Sequence, residues 1–191
     1  MATKRKTPAR GRARRKPAAS ATVFVVHGRN EKARRALFDF LRALNLHPVE
    51  WLEAIRATRQ ASPYVGKVLD VAFKKAAAVV VLMTPDEEAR LKKQYQTKHD
   101  SPHEKLLSGQ ARPNVLFEAG MALGRNPDRT VIVHLGTIRP FSDVVGRHVV
   151  NLSNDLAKRQ ELRIKLEIAC RRKLDVTSID WQTAGDFFIP G

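Results

Sequence analysis

The sequence predicts a single-domain α/β protein built on a doubly wound, five-stranded parallel sheet. Short apolar runs rich in β-branched residues alternate with segments of helical periodicity, as they do in βαβ units. The run Ala77–Met83 is apolar throughout, which is typical of a strand that is covered on both faces. The length of 191 residues suits one domain with its own core.

The first strand and helix have the clearest pattern. Val23–Val26 is a β-branched run that predicts a strand, and it ends at the loop His27-Gly28-Arg29-Asn30. Residues 31–45 place apolar side chains at helical spacing with charges opposite, which predicts an amphipathic helix. A short extended piece around Val49–Leu52 is the expected second strand.

The next unit begins at Ser62 and Pro63, which suit the N-cap and first position of a helix. Ala77–Met83 is the predicted third strand, and it ends at Thr84-Pro85-Asp86. Residues 96–113 are polar and contain Gly and Pro, so we expect an irregular, mobile flap there.

The second half continues the alternation. Asn114–Gly124 predicts a compact helix, and Thr130–Leu135 and His148–Leu152 predict the fourth and fifth strands. Residues 155–173 predict an amphipathic helix whose Lys and Arg side chains form a solvated face. We expect residues 174–191, which hold three aromatic side chains, to pack back onto the domain.

Five strands in this arrangement predict a flavodoxin-like strand order, 2-1-3-4-5. In such sheets ligands bind at the carboxyl ends of the strands, beside the switch between strands one and three. The loops at residues 27–30 and 84–88 follow those two strands, so we expect the ligand site between them.

The net charge of +16 is unevenly distributed. Residues 1–22 hold eight basic residues and no acidic one, and the remainder, with 27 basic and 19 acidic residues, carries +8. The first segment has no apolar periodicity, so we expect residues 1–22 to be a disordered basic arm. Non-specific nucleic-acid binding is one role for such an arm. A solubilising or targeting extension is the alternative, and nothing resembles a base-reading module.

These boundaries divide the chain into the arm (1–22), an α/β domain (23–173) and a C-terminal extension (174–191). The longest apolar run, Ala76–Met83, is far shorter than the ~18–20 residues of a membrane span, and residues 1–22 lack the apolar region of a secretory signal. The single cysteine, Cys170, favours a reducing, cytoplasmic setting. We predict no metal site, since Pro102 interrupts the spacing of His99 and His103.

One carboxylate stands out in the segment RPNVLFEAGMALG, residues 112–124. Glu118 is the only charged residue between Arg112 and Arg125, and its neighbours are apolar. A carboxylate in such surroundings is costly to bury without a partner. Either it is stabilised by the helix N-terminus or an arginine, or it faces a ligand pocket with a shifted pKa; the sequence physics leaves both open.

Five segments resemble a known family when they are taken together: VFVVHGRN (23–30), VVLMTPDE (80–87), RPNVLFEAGMALGR (112–125), PFSDVVG (140–146) and the strand HVVNL that follows. In this order they resemble the bacterial TIR-like nucleotide-binding domains that serve as effectors of cyclic-nucleotide-triggered anti-phage systems. The resemblance covers residues 23 to about 168. It implies the flavodoxin-like TIR fold.

The resemblance also implies an activity. Similar TIR enzymes hydrolyse NAD⁺ and release nicotinamide, which makes NAD⁺ a substrate and requires no separate cofactor. The family's catalytic glutamate maps onto Glu118, its first loop onto His27, Gly28 and Arg29, and its third-strand loop onto Asp86. An anti-phage or cell-suicide role, activated by self-association into a homo-oligomer, follows from the same resemblance.

The chemistry suits these residue types. Cleavage of the ribose–nicotinamide bond develops oxocarbenium character, which a carboxylate stabilises. Arg29 or Arg112 would neutralise the diphosphate. Asn114 would orient Glu118 or cap its helix, with capping the expected role.

Three alternatives to an NAD⁺ hydrolase remain at this stage. One is a non-catalytic module that binds a nucleotide or a partner domain. Another is an enzyme like a nucleoside deoxyribosyltransferase, which shares the sheet class and a glutamate nucleophile. The third is a nucleic-acid-associated protein that acts through residues 1–22.

Overall fold

A five-stranded parallel sheet lies at the centre of the computed structural model, which describes residues 21–140, 148–176 and 178–189. The sheet strands are β1 (Ala21–His27), β2 (Leu46–Val49), β3 (Ala78–Met83), β6 (Thr130–His134) and β7 (Val150–Asn151), in the order β2-β1-β3-β6-β7. Between β3 and β6 a separate antiparallel pair forms from β4 (Glu87–Ala89) and β5 (Ser108–Gln110). The predicted doubly wound order is therefore confirmed.

The described ranges contain six α-helices, five of which cover the two faces of the sheet. They are α1 (Glu31–Ala43), α2 (Trp51–Thr58), α3 (Val65–Lys75), α4 (Pro102–Lys105), α5 (Pro113–Arg125) and α6 (Leu156–Ala169). Asn30 caps α1, because its side chain accepts the Ala33 N–H at 3.0 Å, and Asp155 caps α6 in the same way. None of the helices in these ranges is long and apolar enough to cross a membrane.

Successive side chains of β1 and β3 point to opposite faces of the sheet, so the core forms two layers. Val23, Val25, Val80 and Leu82 belong to the layer under α1 and α6. Phe24, Val26, Val79 and Val81 belong to the layer under α2, α3 and α5. Each of these side chains is at most 2% exposed, and full burial of such a side chain stabilises a fold by about 1.5–3 kcal/mol. Helices on both faces explain why β3 is apolar throughout.

Two predicted boundaries in the first half are wrong. The second strand lies at Leu46–Val49, not at 49–52, because Trp51 and Leu52 begin α2. The third helix begins at Val65 with Tyr64 as its N-cap, not at Pro63. Tyr64 has extended backbone angles, φ −62° and ψ 137°, so the chain enters the helix two residues later than the Ser-Pro pair indicates.

The segment between β3 and α5 (residues 84–112), here called the excursion, contains more regular structure than the expected flap. It holds β4, a 3₁₀ turn at Lys93–Tyr95, α4 and β5. The Gln96 side-chain amide donates to the Leu91 carbonyl at 2.7 Å, and the Leu91 N–H donates to the Glu104 carbonyl at 2.7 Å. The first bond closes a turn within the excursion, and the second ties residue 91, after β4, to α4.

The C-terminal segment 178–189 packs back onto α1 and α6, as expected. Trp181 and Phe187 are buried in the same core as β1, whereas Phe188 is 63% exposed. The Arg159 guanidinium of α6 is also buried and donates to the carbonyls of Ala184 and Gly185. It therefore departs from the solvated basic face predicted for that helix.

Gly185 permits a close approach of this segment to α1. Its φ is +75°, and a Cβ there would overlap the Ala36 carbonyl. The basic arm lies almost entirely outside the described residues, as does most of the motif at 140–146.

Candidate active site at the carboxyl edge of the sheet

Four of the predicted site residues meet where β1 and β3 end. The backbone N–H of Arg29 donates to Asp86 Oδ2 at 2.5 Å, and Thr84 Oγ1 donates to Asp86 Oδ1 at 2.6 Å. Gly28 packs so closely that a Cβ there would overlap Asp86 Oδ2. With His27 at the end of β1, these residues form what we call the switch-point cluster: His27, Gly28, Arg29 and Asp86.

His27 connects the cluster to β2. Its Nδ1 lies 2.8 Å from the carbonyl oxygen of Gly28, and its Nε2 lies 3.4 Å from Glu50 Oε2. Arg34 also contacts that carboxylate at 3.3 Å. The imidazole is thus held by the ends of two neighbouring strands, and it is positioned rather than free to swing.

Arg112 and Asn114 lie at the start of α5. Arg112 is the N-cap residue by backbone geometry, and its Nε donates to Glu87 Oε1 at 3.1 Å. Asn114 is the second residue of the helix and not its N-cap, and no side chain of the described residues caps α5, so the expectation that Asn114 does so is wrong. Pro113 in the first turn removes one N–H that a cap would serve. Asn114 is exposed, with its side chain available to a ligand.

Glu118 lies in the second turn of α5. Because α5 follows the excursion from the carboxyl end of β3, its first turns lie near the same edge as the switch-point cluster. Val115, Ala119 and Ala122 form the buried stripe of the helix, and Glu118 is half-buried beside it. Within the described ranges it has neither a hydrogen-bond partner nor an ion pair.

Burial changes the electrostatics of this carboxyl group. Desolvation raises the pKa of Glu118 from 4.5 to about 7. The group therefore titrates near neutral pH, and a positive charge placed beside it would favour the ionised form. The sequence left open that an arginine pairs with Glu118. Among the described residues, none does.

The structure does not join all the predicted residues into one contact network. Arg112 bonds to Glu87, the chain neighbour of Asp86, but no hydrogen bond or ion pair among the described residues links Glu118 to the switch-point cluster. A cavity of about 790 Å³ opens on the α1 side of the cluster, and Glu118 does not line it. We call it the edge cavity; its walls include Asn30, Lys32, Pro85, His103, Arg139 and Phe188.

Sequence reasoning missed several residues of this edge. Thr84 is 2% exposed and orients Asp86, and its position in the Thr-Pro-Asp turn was a usable signal. Glu50 and Glu87 gave no signal, since each is one of many surface acids. No group of three His, Cys, Asp or Glu side chains suited to a metal occurs in the portion of the chain that the structure describes.

The sheet order defines a flavodoxin-like α/β domain, and the residues gathered at its switch point mark the candidate ligand site. The family model for the TIR domain of CAP12/Pycsar effector proteins matches residues 22–154, and the chain belongs to that family. It is thus a TIR-type domain of a defence-effector family. No curated protein matches the chain. The match ends before α6, so the C-terminal segment lies outside the part the family model covers.

Proposed function

We propose that this protein is an NAD⁺ glycohydrolase that cleaves the bond between nicotinamide and ribose, with Glu118 as its catalytic carboxylate. The supporting observation is the state of that residue. Glu118 is half-buried, near the ligand-binding edge of the sheet, and free of any partner among the described residues. An unpaired carboxylate in an apolar setting is costly, and such costs are concentrated at functional sites.

The reaction requires little besides a carboxylate. As the C1′–N bond breaks, its electron pair goes to the pyridinium nitrogen, so nicotinamide leaves neutral and needs no general acid. Positive charge develops on the ribose, and an ionised Glu118 stabilises it. Water then adds to C1′ and releases a proton, which yields ADP-ribose.

The shifted pKa of Glu118 suits this chemistry. A carboxyl group that titrates at about 7 is only partly ionised in the free protein. The cationic pyridinium of NAD⁺ would favour the carboxylate by direct Coulomb attraction. Because the site is partly desolvated, that attraction is stronger than it would be in water.

Three of the other predicted site residues would hold the substrate. Arg29 is exposed at the switch point, and Arg112 lies at the start of α5, so each is placed to contact the diphosphate. Arg112 is tied to Glu87, which makes Arg29 the freer of the two cations. Asn114 is exposed one turn before Glu118, where it can bind a ribose hydroxyl.

Self-association is the proposed activating step. Within one chain, no hydrogen bond or ion pair of the described residues connects Glu118 to the switch-point cluster. A second copy would add groups and exclude water at that gap. The expected result is a rate of nicotinamide release per chain that increases with protein concentration, in keeping with an anti-phage or cell-suicide role.

Chromatography of nicotinamide released from NAD⁺ tests the proposal. Wild type should turn over NAD⁺ at high protein concentration, and Glu118→Gln should lose at least about 100-fold in rate, the scale of one electrostatic catalytic group. Glu53→Gln, an exposed carboxylate on α2, is the matched control and should keep full activity. Base exchange on deoxynucleosides without NAD⁺ cleavage would instead support a deoxyribosyltransferase.

A further inference from the structure

The edge cavity has a wall that the family match does not cover. Phe188 and Ile189 of the C-terminal segment line it together with Leu107 and Ser108 of the excursion. Its volume of about 790 Å³ lies within the range of small-molecule sites.

The C-terminal wall is firmly held. Arg159 donates to the carbonyls of Ala184 at 2.5 Å and Gly185 at 2.7 Å, and Asn154 Oδ1 accepts the Phe187 N–H at 2.9 Å. The Phe187 ring packs edge-on against Phe40. These contacts place the next residue, Phe188, at a defined position on the cavity wall.

The aromatic ring of Phe188 is not packed in the hydrophobic core. Its side chain is 63% exposed, while its carbonyl accepts a hydrogen bond from Lys32 Nζ at 3.1 Å. The same ammonium group lies 5.8 Å from the ring centroid and bonds to Asp186 at 2.9 Å. An exposed ring on a fixed backbone at a cavity wall is suited to stack a planar base.

The charges around the cavity favour a neutral ligand moiety. Lys32 is paired with Asp186, Arg139 is paired with Glu104 at 3.1 Å, and Glu88 adds a further negative charge to the lining. The described residues of the lining therefore offer no excess of positive charge to a diphosphate. A nucleoside, which combines a flat base with neutral hydroxyls, fits this balance better.

The cavity also continues from the switch-point cluster. Asn30 and Pro85 line it, and they are the chain neighbours of Arg29 and Asp86. In doubly wound sheets a dinucleotide binds across the crevice at the switch point, with its halves on either side. Glu118 lies on the α5 side of this crevice, and the edge cavity lies on the α1 side.

We infer that the edge cavity binds the adenosine half of NAD⁺, with Phe188 stacking on the adenine. This inference rests on the proposed function. It gives the C-terminal segment a part in substrate recognition, and it places the diphosphate over the cluster beside Arg29.

Binding measurements separate this inference from the proposed reaction. Calorimetric titrations use the full chain carrying Glu118→Gln, with two probes: ADP-ribose, which contains adenosine, and nicotinamide mononucleotide, which does not. Adding Phe188→Ala should weaken ADP-ribose binding about tenfold or more and leave nicotinamide mononucleotide unaffected. Phe188→Trp should restore ADP-ribose affinity.

Tyr95→Ala is the matched control, because Tyr95 is 62% exposed and lies outside the cavity. It should change neither affinity. Unchanged ADP-ribose binding in Phe188→Ala, an equal loss for both probes, or no ADP-ribose binding to the parent chain would each overturn the inference. If NAD⁺ cleavage fails while the selective loss is seen, the proposed reaction fails and the subsite stands.

Discussion

The backbone N–H of Arg29 donates a 2.5 Å hydrogen bond to Asp86 Oδ2, which joins the loop after β1 to the loop after β3. The two strands are neighbours in the sheet, with His27 paired to Leu82, so the loops leave the same edge side by side. Asp86 thus fills the floor of the switch-point crevice. A ligand at this edge would lie over that bond.

Gly28 and Asp86 should be energetically coupled. A Cβ at position 28 would overlap Asp86 Oδ2, so Gly28→Ala should destabilise the fold by about 1–3 kcal/mol. In an Asp86→Ala background the same change should cost clearly less, since the overlapping atom is gone. Urea unfolding of the four chains measures the difference, and equal costs in both backgrounds would show that the two positions are independent.

Glu118 should reduce stability at neutral pH. Its folded-state pKa is raised from 4.5 to about 7, so between these values the native state binds more protons than the unfolded state. Stability linked to this group is complete below about pH 4.5 and is lost as pH rises through about 7.

Glu118→Gln cannot ionise, so it does not lose stability as the pH rises. The variant should be more stable than wild type by about 1–3 kcal/mol at pH 8, less than the full pKa shift implies because the side chain is partly exposed. Below pH 4.5 the two chains should unfold alike. Urea midpoints across this pH range provide the comparison; a constant offset at every pH would mean that the carboxyl is not the cause.

Arg159 should anchor the C-terminal segment. Arg159→Met keeps the length of the side chain but leaves the carbonyls of Ala184 and Gly185 without their donor, so the expected loss of stability is about 2–3 kcal/mol. Lys158→Met, on the exposed side of α6, serves as control. Limited proteolysis should cut after residue 178 more readily in Arg159→Met than in wild type or in Lys158→Met.

Residues 1–22 should account for any affinity for nucleic acid. Eight basic residues contacting phosphates of double-stranded DNA would give a slope of log K against log salt no steeper than about −7. Deletion of residues 2–22 should abolish this salt-dependent binding. If the deletion variant still binds DNA, the affinity belongs instead to the rest of the chain, which carries a net charge of +8.

The sheet was predictable because its signal is local and repeated. The apolar runs of β1 and β3 favour buried strands, and their alternation with helical segments favours a parallel, doubly wound sheet. The β2 sequence Leu-His-Pro-Val carries no such signal, since Pro48 and His47 are unusual in strands. The apolar pair Trp51–Leu52 consequently drew the prediction three residues too far.

The site was predictable only at the level of which loops meet. Carboxyl ends of adjacent parallel strands meet at one edge, so residues 27–30 and 84–88 had to be close. The bond that joins them uses a backbone N–H, which no side-chain pattern reveals. The burial of Arg159 was not predicted, because nothing in the sequence distinguishes it from the other Lys and Arg residues of α6.

The catalytic role of Glu118 is tested by the pH dependence of kcat/KM for nicotinamide release from NAD⁺, measured for wild type and Glu118→Gln side by side. The wild-type rate should rise through about pH 7 as Glu118 ionises, and the Glu118→Gln rate should be low and flat. A variant that keeps the wild-type rate, or one that retains the same rise through pH 7, would show that Glu118 is not the catalytic carboxylate.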